Sequence, residues 1–195
     1  MALKRLCVFC GSSSGARREY ADAAVTVGKE LARRNVELVY GGGRVGLMGT
    51  VADATLAAGG RVIGIIPRPL ATKELAHDGL TELRVVETMH ERKALMAQLS
   101  DAFIALPGGF GTLEEFCEVL TWAQLGLHRK PCALLNVRGY FDPLLNLFDH
   151  AVTESFVMAE HRGIVLQDSD VSKLLDAIAS WKMPNVKKWI DLEGT

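Results

Sequence analysis

The sequence has no apolar run approaching the roughly 18 residues that would cross a bilayer, and almost no net charge. Its 22 Lys and Arg are balanced by 23 Asp and Glu, a formal net charge of -1. Nucleic-acid binding ordinarily needs a basic surface that displaces condensed counterions, so neither a nucleic acid nor a membrane is expected as a partner. The pair Lys187 and Lys188 is too short to alter that balance. Met1 to Arg5 runs into a short apolar stretch that meets Gly11 and Ser12 at once, which is not the pattern of a secretory leader.

Cysteine is scarce, and Cys7, Cys10, Cys117 and Cys132 show neither zinc-ligand spacing nor that of a secreted scaffold. Cys7 and Cys10 have CxxC spacing. On a strand, however, residues three apart point to opposite faces, so these thiols should not meet. Buried, reduced thiols and a cytoplasmic location are the expectation. His77, His90, His128, His150 and His161 are scattered and form no HExxH, so no metal is expected. Also missing are GxGxxG after the first strand, GxxxxGK[ST] and the GxSxG elbow. Their absence disfavours NAD-dependent hydride transfer, ATP hydrolysis and a serine hydrolase, and no cofactor is expected.

What is present is an ordinary globular composition of 195 residues, 49% hydrophobic and 23% charged. It suits one domain, residues 1–195, with a core that depends on neither disulfides nor metals. Short apolar runs are predicted as strands at Leu6–Phe9, Val36–Tyr40, Arg61–Ile66, Leu83–Val86, Ala102–Leu106, Cys132–Leu135 and Ile164–Leu166. Helical patterns fall between them at Ala16–Arg33, Gly46–Ala58, Met89–Leu99, Leu113–Leu125, Phe141–His150 and Asp170–Ser180. This alternation predicts a Rossmann-like α/β fold: a doubly wound parallel sheet with helices on both faces. Phe103 to Leu106, apolar on both faces, fits a doubly covered sheet.

Two glycine-rich segments sit at strand-to-helix junctions. Pro107, Gly108, Gly109, Phe110, Gly111 and Thr112 follow one strand, and Gly41 to Gly49 follow another. At such a junction the unpaired amides of a first helical turn face outward and favour an anion, while glycines leave no Cβ in its way. A phosphorylated ligand is therefore expected. Thr112 and Glu115 also have the spacing of a capping box, so the sequence leaves Glu115 open to a structural or a chemical role. Arg92 and Lys93, opening the preceding helix, are either solvated charges or phosphate ligands.

The ordered set of Met89-His90-Glu91-Arg92-Lys93, then Pro107 through Glu115, resembles the paired signatures of the LONELY GUY family. These are cytokinin riboside 5'-monophosphate phosphoribohydrolases, formerly often mislabelled as lysine decarboxylases. Gly11 to Ser13, Gly41 to Gly49 and Trp122 to Gly126 extend the likeness over nearly the whole chain. The resemblance implies hydrolysis of the N-glycosidic bond of an N6-modified adenosine 5'-monophosphate, giving free base and ribose 5-phosphate. It assigns catalysis to Glu115 and Arg92. It assigns nucleotide binding to Glu74, Lys93, Gly108, Gly109, Phe110, Gly111, Thr112, Leu113, Glu114 and Thr121, and implies a homodimer. An AMP-preferring nucleosidase and a non-catalytic nucleotide sensor are the alternatives.

Overall fold

Strands that are apolar on both faces need cover on both, and the topology supplies it. The computed structural model describes residues 3–71 and 76–184. Seven parallel strands form one sheet: β1 (Arg5–Phe9), β2 (Glu37–Tyr40), β3 (Val62–Pro67), β4 (Glu82–Val86), β5 (Ala102–Ala105), β6 (Cys132–Leu135) and β7 (Val165–Asp168). Their spatial order is β4-β3-β2-β1-β5-β6-β7. The intervening helices are α1 (Arg18–Arg33), α2 (Gly46–Ala57), α3 (Arg68–Leu70), α4 (Met89–Leu99), α5 (Phe110–Gln124), α6 (Asp142–Thr153), α7 (Ala159–Arg162) and α8 (Val171–Ser180).

Two apolar clusters, one on each face of the sheet, hold the layers together. Leu6 and Val8 pack with α1, α2 and α8, whereas Cys7, Phe9 and Phe103 pack with α4, α5 and α6. Cys7 and Cys10 fall in opposite clusters and are free thiols, as strand geometry requires. The outer strand β4 alternates between half-buried and exposed residues, while β5 and β6 are buried throughout.

The strand order reverses between β1 and β5, and loops leaving such a switch point diverge to open a crevice at the carboxyl edge. The segments after β1, β2 and β5 meet there. Gly11 N–H donates to the Pro107 carbonyl, and Leu47 N–H to the Gly11 carbonyl.

Several boundaries differ from the sequence expectation. Pro67 is the last residue of β3, opposite Val86, because a strand's final position need not donate a ladder hydrogen bond. Helix α7 is too short to leave a periodic signal. The most consequential difference is at α5, which begins at Phe110 and not at Leu113. Gly109 is its N-cap, and the Leu113 N–H closes onto the Gly109 carbonyl. Thr112 therefore lies inside the first turn, and the Thr112–Glu115 capping box does not form. That cap operates instead one helix earlier, where Thr88 accepts from the Glu91 N–H and Glu91 reaches back to the Glu87 N–H.

Candidate active site

A cleft of about 370 Å³ opens at the carboxyl edge of the sheet, between the loops after β1, β2 and β5. Its floor is made by the start of α5. An α-helix leaves its first amides without internal partners, and no side chain caps those of α5. The macrodipole adds partial positive charge at the same place. A Cβ placed on Gly109 or Gly111 would meet nothing within 4 Å, so both residues border open space. Gly108 is different: a Cβ there would overlap the Thr112 hydroxyl and lie 2.8 Å from the Gly11 N. The loop is thus open where it lines the cleft and tightly packed behind. Thr112 is buried, and Phe110 is 93% exposed at the rim.

Freed from a capping role, Glu115 faces the cleft with its side chain only 12% exposed. Arg92 Nη1 lies 3.7 Å from Glu115 Oε1, at the outer limit of ion pairing. The rest of the guanidinium is held by backbone. Nε donates to the Ile65 carbonyl at 3.2 Å, and Nη2 donates to the Gly41 carbonyl at 3.3 Å. Two strand ends therefore hold the guanidinium so that Nη1 reaches both Glu115 Oε1 and Met89 Sδ, each at 3.7 Å. Burial pushes the Glu115 carboxyl above the usual range; Arg92 opposes that rise, and Glu114 and Glu118 add to it.

Lys93, the neighbour of Arg92, points elsewhere. Its ammonium donates to Glu114 at 2.5 Å and to Glu118 at 3.0 Å, tying α4 to α5 beside the cleft. Glu114 also lines the cleft, while Leu113 packs against the apolar cluster on the α5 face of the sheet. Thr121 is three helical turns below the mouth and donates to the Cys117 carbonyl of its own helix. Glu74 lies outside the described residues.

The remaining walls are apolar, formed by Val45, Met48, Ile66, Leu70 and Met89. Cys10 lines the cleft too, but burial pushes its thiol up, which makes it a neutral wall and a poor nucleophile. The β2–α2 glycine loop was visible in sequence as a strand-to-helix junction, and Gly41 and Gly43 do border the site. The Ile66, Leu70 and Met89 contributions carried no signal beyond their place at strand ends. Among the described residues no group of three or more His, Cys, Asp or Glu is arranged to hold a metal. None of the described helices is long and apolar enough to cross a membrane.

A larger depression, about 620 Å³, lies at the opposite, amino-terminal edge of the sheet. Most of its charges are paired internally: Arg5 and Arg61 share Glu37, and Asp101 accepts from the Lys4 and Arg5 amides. Volume there comes without convergent free donors, so the smaller cleft is the candidate site.

Comparison with known proteins bears on the family of the chain. A family model described as "possible lysine decarboxylase" matches residues 48–178. A probable cytokinin riboside 5'-monophosphate phosphoribohydrolase of Oryza sativa subsp. japonica is 55% identical over 178 residues, covering 91% of this chain and 78% of that protein. A cytokinin riboside 5'-monophosphate phosphoribohydrolase of Arabidopsis thaliana is 48% identical over 191 residues, covering 95% and 90%. Among solved structures, the molybdenum cofactor binding protein of Rippkaea orientalis superposes with a TM-score of 0.70 at 24% identity, covering 92% of this chain and 98% of that one. At that identity the likeness establishes the fold alone.

Proposed function

We infer the reaction from a premise those comparisons establish: the chain belongs to the LONELY GUY family of cytokinin riboside 5'-monophosphate phosphoribohydrolases. It is an enzyme that hydrolyses the N-glycosidic bond of N6-modified adenosine 5'-monophosphates, releasing the free base and ribose 5-phosphate. The decarboxylase description of the family model finds no support among the described residues of the site, where Lys93 beside the cleft is bound to Glu114 and Glu118.

The assignment of roles is our proposal. The 5'-phosphate sits on the amides from Gly109 to Thr112, with Gly108 packed behind them and Phe110 at the rim. Glu115 is one helical turn deeper, about 6 Å along the axis from Gly111. Such a separation places its carboxylate beside the ribose when the phosphate is at the helix entrance. As the base departs, positive charge grows on the sugar ring, and a buried carboxylate stabilises it and orients the attacking water. Arg92 holds Glu115 ionised and in place. Lys93 acts through Glu114, Leu113 seats the helix, and Glu74 and Thr121 are assigned to the base and ribose on resemblance only.

We further assign all of residues 1–195 to one catalytic domain and place the enzyme in the cytoplasm as a homodimer. Leu147, Phe156 and Met158, apolar yet exposed, support the dimer by offering a second copy surface to cover. The observation that carries the mechanism is the buried Glu115–Arg92 pair one turn below uncapped amides.

The apolar wall of Met48, Ile66, Leu70 and Met89 favours an N6-alkyl substituent over plain AMP. Each added methylene contributes about 1–3 kcal/mol of discrimination at most. We expect kcat/KM for N6-isopentenyl-AMP to exceed that for AMP by at least about tenfold. Chromatography of free base and ribose 5-phosphate across a nucleotide panel measures this. Equal rates would support the AMP-preferring alternative, and nucleotide bound but uncleaved would support a sensor.

A further inference from the structure

Tyr140 follows β6 and the 3-10 turn Val137–Gly139, outside the cleft that contains Arg92 and Glu115. Its hydroxyl donates to the Gly108 carbonyl at 2.5 Å, across 32 residues of sequence. The ring is fixed edge-on against Tyr20, with centroids 5.7 Å apart, and against Phe141 at 5.1 Å. The turn that delivers it is itself tied down. Asn136 donates to Asp142 and accepts from the Phe141 N–H, while Arg138 and Gly139 take left-handed backbone with φ of 54° and 72°.

The carbonyl that Tyr140 holds belongs to the peptide between Gly108 and Gly109. With no Cβ on either side, that unit rotates more easily than any other in the loop. A trans peptide points its C=O and its N–H in opposite directions, and no cis bond occurs among the described residues. Fixing the carbonyl toward Tyr140 therefore turns the Gly109 N–H away from it. No hydrogen bond from that N–H occurs among the described residues. Gly109 lies on the boundary between two cavities, the Arg92–Glu115 cleft and an adjoining pocket of about 290 Å³ that Tyr140 lines.

We propose that Tyr140 is a positioning residue for the substrate phosphate, locking the Gly108–Gly109 peptide so that the Gly109 N–H joins the amides at the start of α5. The inference rests on the phosphate placement given under the proposed function. Were this peptide to invert, a carbonyl oxygen would replace a donor next to an anion. Tyr140 thus acts on affinity for the phosphate and leaves the chemical step untouched.

Tyr140→Phe retains both ring contacts and removes the hydrogen bond. The expected result is a rise of about five- to tenfold in KM for N6-isopentenyl-AMP, the effect of one lost hydrogen bond in a charged site, with kcat within about twofold. By calorimetry the Kd of ribose 5-phosphate should rise by the same factor. Inhibition by N6-isopentenyladenosine, which lacks the phosphate, should not change. Unaltered ribose 5-phosphate binding in the variant would overturn the proposal, as would equal weakening of the nucleotide and the riboside. Failure of the wild-type protein to bind ribose 5-phosphate at all would overturn the phosphate placement as well.

Discussion

Replacing Glu115 with Gln is expected to lower kcat about 10²–10³-fold, roughly the loss seen when one preorganised electrostatic group is removed from a transition state. Affinity for nucleotide should change only a few-fold, because the proposed phosphate seat lies elsewhere. The expectation follows from burial and charge together. Gln matches the size of the carboxyl group, but it cannot balance positive charge developing on the ribose. Near-normal turnover of the variant would remove Glu115 from the mechanism.

The same substitution has a second signature. Burial raises the Glu115 pKa, so activity should fall on the acid side at a pH above that of an ordinary glutamate, about 4.3. For stability the sign runs the other way. A carboxyl whose folded pKa is raised contributes stability below its unfolded pKa, and that contribution is lost as pH rises through the folded value. At neutral pH the charged Glu115 is therefore a net cost to the fold. The Gln variant should melt no lower than the wild type at pH 7 while being almost inactive. A large drop in melting temperature would mean that the Arg92 contact outweighs desolvation.

Gly41→Ala should also lower kcat/KM, by about 10²-fold, the scale on which a misplacement of about 1 Å acts on a catalytic group. A Cβ at Gly41 would overlap the Arg92 guanidinium, which now bonds to the Gly41 carbonyl. Gly41 does not have the left-handed backbone found at Gly42, so alanine is sterically allowed and the backbone can remain as it is. The guanidinium must move instead, losing its bond to Gly41 and its approach to Glu115. Steady-state kinetics beside a thermal melt measures the effect. A folded variant with wild-type kcat/KM would show that Arg92 does not need this placement.

Much of this architecture was legible in sequence, for identifiable reasons. Phe103 to Ala105 and Cys132 to Leu135 are apolar on both faces, and buried parallel strands read as such runs. The helical pattern of Met89 to Leu99 coincides with α4, whose first turn Thr88 caps by accepting from the Glu91 N–H. Helix α5 was misread because Thr112 and Glu115 imitate that pattern, whereas its actual cap, Gly109, has no side chain to advertise it. The misreading matters, since it is what left the role of Glu115 open. Arg92 and Lys93 look equivalent as adjacent cations, yet α4 sends one to strand-end carbonyls and the other to Glu114 and Glu118. Only tertiary packing separates them. Tyr140 gave no signal at all, because its partner is remote in the chain and is a backbone atom, which no side-chain motif encodes.

With the substrate phosphate on the uncapped start of α5, as proposed, the enzyme's working rate depends on its surroundings. A grip made of main-chain amides and a dipole recognises any small tetrahedral oxyanion, so it has little means of telling one from another. Inorganic phosphate or sulfate in a buffer is expected to occupy the same seat, protect the fold against heat and slow turnover. The sugar product keeps the group by which the substrate is proposed to be held, and product inhibition by ribose 5-phosphate is the expected consequence.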